Sequence, residues 1–244
     1  MTTSNPALSS GVFQIESTAD HAMTLQGTVW KTGALLAVTL TGAGVTWWQV
    51  AASPALARPL MIGGFLIGAV IALITIFKPT VSAFTAPLYA AAEGVALGAI
   101  SQVIEVNGMP GIAVQAVGLT FGTLAMMLLA YQSGLVRATE KFKLGVIAAT
   151  GGIALLYFAT IVLGFFGIQV PMIYSNGPIG IAFSVFVVVI AALNLVLDFD
   201  SIDRGVEQGA PKYMEWYGAF ALLVTLVWLY LEILRLLSKL RGRD

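Results

Sequence analysis

Seven continuously apolar stretches run through this sequence, and each has roughly the 20 residues that a helix needs to cross a ~30 Å hydrocarbon core. They are predicted near 32–52, 59–77, 82–104, 111–134, 144–168, 179–198 and 216–238, with proline, glycine or charged residues between them. The stretches do not alternate as barrel strands do, and in lipid only helices or closed barrels satisfy the backbone. Since only 10% of the residues are charged, we predict an all-α integral membrane protein with seven transmembrane helices.

The predicted spans divide the chain into three parts. Residues 1–29 form a polar N-terminal tail, residues 30–240 a seven-helix membrane domain, and residues 241–244 a short basic tail. The first part has no basic segment followed by an apolar core, so we expect no signal peptide there.

Lysine and arginine are unevenly distributed between the two sides of the predicted membrane domain. The side that holds the N-terminus has Lys31, Lys78, Arg137, Lys141, Lys143, Arg204 and Lys212, whereas the other side has only Arg58 before the last helix. The positive-inside rule therefore places the N-terminus in the cytoplasm. The basic C-terminal residues oppose this, so either they emerge outside or the last helix does not fully cross; the length of 216–238 favours full crossing.

Several classes of function are excluded by composition. The formal net charge is zero, which gives no field for binding nucleic acid. There is no cysteine, and the one histidine, His21, lies in the polar tail. An in-membrane Ser–His pair and a histidine or thiolate metal site are therefore absent. We expect a protein that is not an enzyme and needs no cofactor.

Two carboxylates lie well inside predicted spans, Glu93 in the third and Glu232 in the seventh. A charge at the centre of a membrane helix costs about 2.5–3.5 kcal/mol on insertion scales, so such residues are candidates for function. Both spans start from the same side, and at ~1.5 Å per residue the two acids reach similar depths and can share one level of the bundle. The alternative is that each is a neutral, hydrogen-bonded acid that holds helices together.

A second acidic group, Asp198, Asp200 and Asp203, stands where the sixth span is predicted to end. Asp198 and Asp200 are two positions apart, so they face different sides of a helix and only one points squarely into the bundle. We interpret Asp203, with Glu207 and Glu215, as solvated acids at helix ends.

Carboxylates in a poorly hydrated site bind protons and hard cations such as Ca²⁺ in competition, which predicts a pH-sensitive cation pathway. A nearby cation closes such a path by pairing with a carboxylate. Lys78, at the end of the second span, and Arg235, three residues after Glu232, are the two candidate latches. The alternative for both is that they extend to the membrane interface.

Glycine pairs four residues apart occur in two spans, Gly94/Gly98 in the third and Gly118/Gly122 in the fourth. Such pairs let helices approach closely. We therefore predict tight helix packing at both.

Three segments of the sequence resemble the Bax inhibitor-1 family, also called the transmembrane Bax inhibitor motif family, in a bacterial branch. They are LDFDSI at 197–202, LYLEILR at 229–235 and the stretch 89–98 with its Glu-Gly pair. The resemblance implies six helices wrapped around a hydrophobic last helix. It also implies a pH-dependent Ca²⁺ leak, controlled by a pair of acids that fall here on Asp200 and Glu232. The chain departs from the family pattern in having Ser-Ile after Asp200, and Glu in place of the second Asp.

The sequence is compatible with more than one partner for Asp200. If the sixth and seventh helices form a hairpin that turns near Ala210, Asp200 faces residues near 220 and not Glu232. Asp198 and Glu93 are then the alternative partners.

These observations lead to one hypothesis with two alternatives. The first is a proton-sensitive Ca²⁺ leak channel in a bacterial inner membrane, with Asp198, Asp200 and Glu232 as sensor and Glu93 along the path. The second is a proton-coupled exchanger that uses the same acids. The third is a non-conducting regulator that binds another membrane protein.

Overall fold

The protein was analysed as a computed structural model, which describes residues 22–167 and 175–242. Its seven α-helices are α1 (Leu25–Ala52), α2 (Ala57–Phe77), α3 (Ser82–Val106), α4 (Ile112–Gln132), α5 (Glu140–Phe165), α6 (Pro178–Glu207) and α7 (Met214–Arg241). Each forms a segment long and apolar enough to cross a membrane, which confirms the predicted all-α membrane fold. His21, with most of the polar tail, and the last two residues of the basic tail lie outside the described residues.

Two helices, α1 and α6, extend much further than predicted, while the bounds of the others differ from the prediction by a few residues. α1 begins at Leu25 instead of residue 32, because the Thr24 hydroxyl caps it by accepting from the Gly27 N–H at 3.0 Å. α6 continues past residue 198 to Glu207 and stops before Gly209, whose φ of +65° is a left-handed conformation that favours glycine. The aspartates of this segment therefore lie on a helix.

The last helix, α7, occupies the centre of the bundle. It packs directly against α1, α3, α4 and α6, while α2 packs mainly against α3 and α5 against α6. The arrangement around the C-terminal helix thus has four inner helices and two outer ones. α3 runs parallel to α7, since the Ser82 hydroxyl donates to the Tyr213 carbonyl (3.0 Å) near one end, and the Ser101 and Tyr230 hydroxyls lie 2.7 Å apart near the other.

We call the surface where α1, α3, α5 and α7 begin the N-face, and the opposite surface the C-face. At the C-face, Arg241 donates to the Pro110 carbonyl at 2.6 Å, and the Asn176 side chain donates to the Gly242 carbonyl at 3.3 Å. α7 therefore spans the whole bundle, and the basic end of the chain emerges on the face opposite to the start of α1.

The two glycine pairs differ in whether they contact another helix. A Cβ at Gly94 or Gly98 would overlap the backbone of Thr39 or Ala43 of α1, which confirms close packing of α1 on α3. The prediction is wrong for Gly118 and Gly122, which face open space on the outer side of α4.

Candidate functional site

Asp200 lies near the N-face, where α6 meets the start of α5. Its carboxylate pairs with Lys143 at 2.7 Å and with Arg204, one turn further along α6, at 3.0 Å. The exposed Glu140 lies 3.5 Å from Lys143 and 3.6 Å from Arg204. Since the Asp200 side chain is only 17% exposed, two cations compensate a largely buried acid.

Glu232 lies in the second half of α7, towards the C-face, and has its own partners. Both of its oxygens accept from the Arg235 guanidinium at 2.8 Å, and the Tyr157 hydroxyl of α5 donates to Oε1 at 3.0 Å. The guanidinium also stacks 5.0 Å above the centre of the Tyr157 ring. The structure thus brings Arg235 and Glu232 together, whereas Lys78 is exposed after α2 and makes no ion pair within the described residues.

Asp200 and Glu232 do not meet. α6 and α7 are antiparallel: Ile202 packs against Gly218, and the carboxylate of Asp198 lies next to the Thr225 side chain. Asp200 therefore lies level with α7 residues near 222, as a hairpin requires. About ten helical positions, roughly 15 Å along the axis, separate it from Glu232.

Among the described residues, Glu93 and Asp198 are the two acids with a buried oxygen that has no hydrogen-bond partner. Glu93 is 6% exposed, lies near Tyr89 of its own helix, and packs so closely on α2 that a Cβ at Gly68 would be 2.6 Å from its Oε1. Its Oε2 has no hydrogen-bond partner among the described residues, and neither has Oδ2 of Asp198. Two buried oxygens in the membrane-spanning part thus remain available to a ligand or a proton.

These two acids lie in nearly the same layer. Tyr89 packs against Phe220 with the ring centres 5.0 Å apart, which sets Glu93 level with α7 residues near 223. Asp198 lies level with Thr225 but contacts α7 from the opposite side, where α6 packs. The expectation that Glu93 shares a level with Glu232 is wrong, because α3 and α7 start almost level and Glu232 is further along.

The acids do not converge on one ion. Within the described residues, no group of three or more His, Cys, Asp or Glu side chains is arranged to hold a metal. Asp198, Asp200 and Glu232 are therefore spread over separate positions along α6 and α7. A cation that uses them has to do so one after another.

Glu215 was interpreted from the sequence as a solvated acid, and this is wrong. It is fully buried beneath the start of α1, where it accepts from the Thr24 N–H (2.9 Å) and hydroxyl (2.7 Å). It also pairs with Lys31 and, at 3.3 Å, with Lys212. The first turn of α7 is buried because residues 22–24 dock on the α6–α7 turn, where the Met23 N–H donates to the Ala210 carbonyl at 2.6 Å.

Three partners of these acids were not predicted from the sequence: Lys143, Arg204 and Tyr157. Lys143 and Arg204 entered only as positive charges on one side of the membrane, and Tyr157 was not singled out. A tyrosine in the middle of an apolar span is a signal for a buried polar partner, because its hydroxyl needs a hydrogen bond there.

Comparison with known families gives one match, to the sequence profile described as Bax inhibitor 1 like, over residues 5–242. Comparison with curated proteins finds no match. The matched region covers nearly the whole chain and includes all seven helices, the central α7 among them. The chain therefore belongs to the Bax inhibitor 1-like family.

Proposed function

We propose that this protein is a pH-sensitive leak channel for Ca²⁺ in a bacterial inner membrane, with its N-terminus in the cytoplasm. The observation that carries the proposal is the pair of buried, unpartnered carboxylate oxygens of Glu93 and Asp198 in one layer of the bundle. Carboxylate oxygens are the ligands that Ca²⁺ prefers, and an uncompensated acid in a membrane has a strong reason to bind a cation or a proton.

The ion pairs on either side of this layer form the gates. Asp200, held by Lys143 and Arg204, closes the path towards the N-face. Glu232, held by Arg235, closes it towards the C-face. A pair is broken when its acid takes up a proton, since a neutral carboxyl no longer holds the cation. Acidification therefore opens the path, and the flux rises as the pH falls.

The test is Ca²⁺ entry into proteoliposomes that contain the pure protein, measured with a trapped dye over a series from about pH 5 to about pH 8. Asp200→Asn mimics the protonated sensor, so we expect a higher flux at pH 8 and a weaker pH dependence. Glu207→Gln, an exposed acid on the same helix, is the matched control. Asp198→Asn removes the acid that lies between the two gates, so we expect it to lower the flux. Glu93→Gln, in the same layer on the α3 side of α7, tests whether the path also uses that side.

The same buried acids also suit a proton-coupled exchanger, and one measurement separates the two. An imposed pH gradient drives Ca²⁺ uphill in an exchanger but not in a leak. If wild type and all variants stay silent at every pH while monodisperse, the channel proposal is wrong. The regulator that binds another membrane protein is then the function to pursue.

A further inference from the structure

A groove runs along the outside of the bundle between α1 and α4. Both helices pack on α7, and they diverge from each other towards the N-face. Val29 and Leu36 of α1 form one apolar wall, and Leu124 and Leu128 of α4 form the other. Phe199 of α6 and Leu222 of α7 form the floor. Gly33 adds no side chain, and a Cβ there would meet open space. The groove is therefore open to the lipid hydrocarbon.

The length of this groove matches one leaflet. Its wall on α1 runs from Leu25 to Leu36, which is roughly 16 Å of helix at ~1.5 Å per residue. Half of a ~30 Å hydrocarbon core is about 15 Å. One acyl chain of the leaflet at the N-face fits this depth. Beyond Leu36 the crevice between α1 and α4 continues only as a smaller cavity beside Thr39 and Thr120, so the wide part that a partner helix would need along the full thickness is confined to the half near the N-face.

At the N-face the groove ends in a polar pocket that carries both signs of charge. Tyr131, Gln132 and Asp203 line both the groove and the pocket, and Arg137 lines the pocket. Asp203 accepts from the Tyr131 hydroxyl at 2.9 Å but has no ion pair within the described residues. Arg137 donates to the Gly134 carbonyl of its own turn at 3.3 Å, and it too makes no ion pair there.

We propose that this groove binds a glycerophospholipid with a primary-amine headgroup. The ammonium group pairs with Asp203, the phosphate pairs with Arg137, and one acyl chain lies in the groove. An Arg–phosphate pair and a charge-assisted hydrogen bond from an ammonium are both stronger than hydrogen bonds between neutral groups. An anionic headgroup without an amine fits less well, because it brings no cation to the Asp203 carboxylate, which has no ion pair within the described residues.

The headgroup is tested by native mass spectrometry of the full chain, with lipid retention measured for phosphatidylethanolamine, phosphatidylcholine and phosphatidylglycerol of identical chains. We expect phosphatidylethanolamine to be retained about tenfold better than phosphatidylcholine, which keeps the phosphate but has no N–H donor. Asp203→Asn removes this preference. Arg137→Gln weakens both zwitterionic lipids equally. Glu140→Gln, an exposed acid at the same face that does not line the groove, leaves the preference unchanged.

The groove is tested by filling it. Gly33→Phe places a ring where open space lies, so it disturbs no packed atom and lowers retention of all three lipids at least several-fold. Gly44→Phe is the matched control, because Gly44 is on the same helix, also faces open space, and does not line the groove. Equal retention of the three lipids by wild type, or equal retention by Gly33→Phe and Gly44→Phe, overturns the proposal. So does a protein segment found in the groove.

Discussion

At the scale of single residues, the acids of this bundle differ in how fully they are compensated. Glu215 has four donors from Thr24, Lys31 and Lys212, whereas Glu93 and Asp198 each keep one buried oxygen without a partner. A buried charge is stable only when it is paired and hydrogen-bonded. The well-compensated acid therefore serves the fold, and the two poorly compensated acids are the ones to examine for transport.

Loss of Glu215 is expected to destabilise the protein strongly. Glu215→Ala leaves Lys31 and the Thr24 N–H without their buried acceptor, and breaking a buried pair from one side costs about 3–5 kcal/mol. Thermal unfolding of the purified protein in detergent measures this. Glu140→Ala, at a side chain that is 84% exposed, is the control and is expected to cost about 0–1 kcal/mol. Equal effects of the two changes would contradict the anchoring role of Glu215.

For the Arg235–Glu232 pair, we expect a second substitution to restore the stability that the first one removes. Arg235→Gln leaves Glu232 buried without a cation, which again costs about 3–5 kcal/mol. Neutralising the acid as well, in Arg235→Gln with Glu232→Gln, is expected to restore most of the lost stability. The readout is the midpoint of thermal unfolding of both single variants and the double variant. A double variant whose loss equals the sum of the two single losses would show that the pair is not coupled.

At the scale of helices, long apolar runs made the seven elements predictable, and polar residues near their ends hid the true boundaries. Thr28 and Lys31 made the start of α1 look like part of the polar tail, although Thr24 caps the helix. The aspartates after residue 197 looked like the end of α6, although Asp200 and Arg204 form an ion pair one helical turn apart. The pairing of acids across helices was not predictable, because it depends on how each helix is rotated and on its register with α7.

The two glycine pairs provide a test at this scale. Gly98→Val introduces a side chain against the backbone of Ala43, so α1 and α3 have to separate; overpacking of this kind costs about 1–3 kcal/mol. Gly122→Val on α4 meets open space, so we expect no loss from overpacking there. Unfolding midpoints of the two variants in the same detergent make the comparison. A greater loss for Gly122→Val would contradict the packing of α1 on α3.

At the scale of the whole molecule, the central α7 explains why the basic C-terminal residues opposed the charge rule. The cations on its last turns are held by contacts with other parts of the protein. Arg235 pairs with Glu232, Lys239 donates to the Gly180 carbonyl (3.0 Å) and the Ser184 hydroxyl (2.8 Å), and Arg241 donates to the Pro110 carbonyl. A positive charge held in this way acts less like a loop charge that remains on the cytoplasmic side. The charge count of the other loops is therefore the better guide to orientation.

This reasoning leads to a prediction about topology, which the absence of native cysteine makes simple to test. In bacterial cells that express the protein, a membrane-impermeant maleimide is expected to label Gly242→Cys at the C-face without permeabilisation. Glu140→Cys at the N-face is expected to react only after permeabilisation, because seven lysines and arginines favour the cytoplasm on that side. The two positions lie on opposite faces because α7 crosses the whole bundle. Labelling of both positions from outside would contradict the full crossing. The reverse pattern would leave the fold intact but invert the protein in the membrane. The Asp200 gate and the lipid groove would then lie in the outer leaflet.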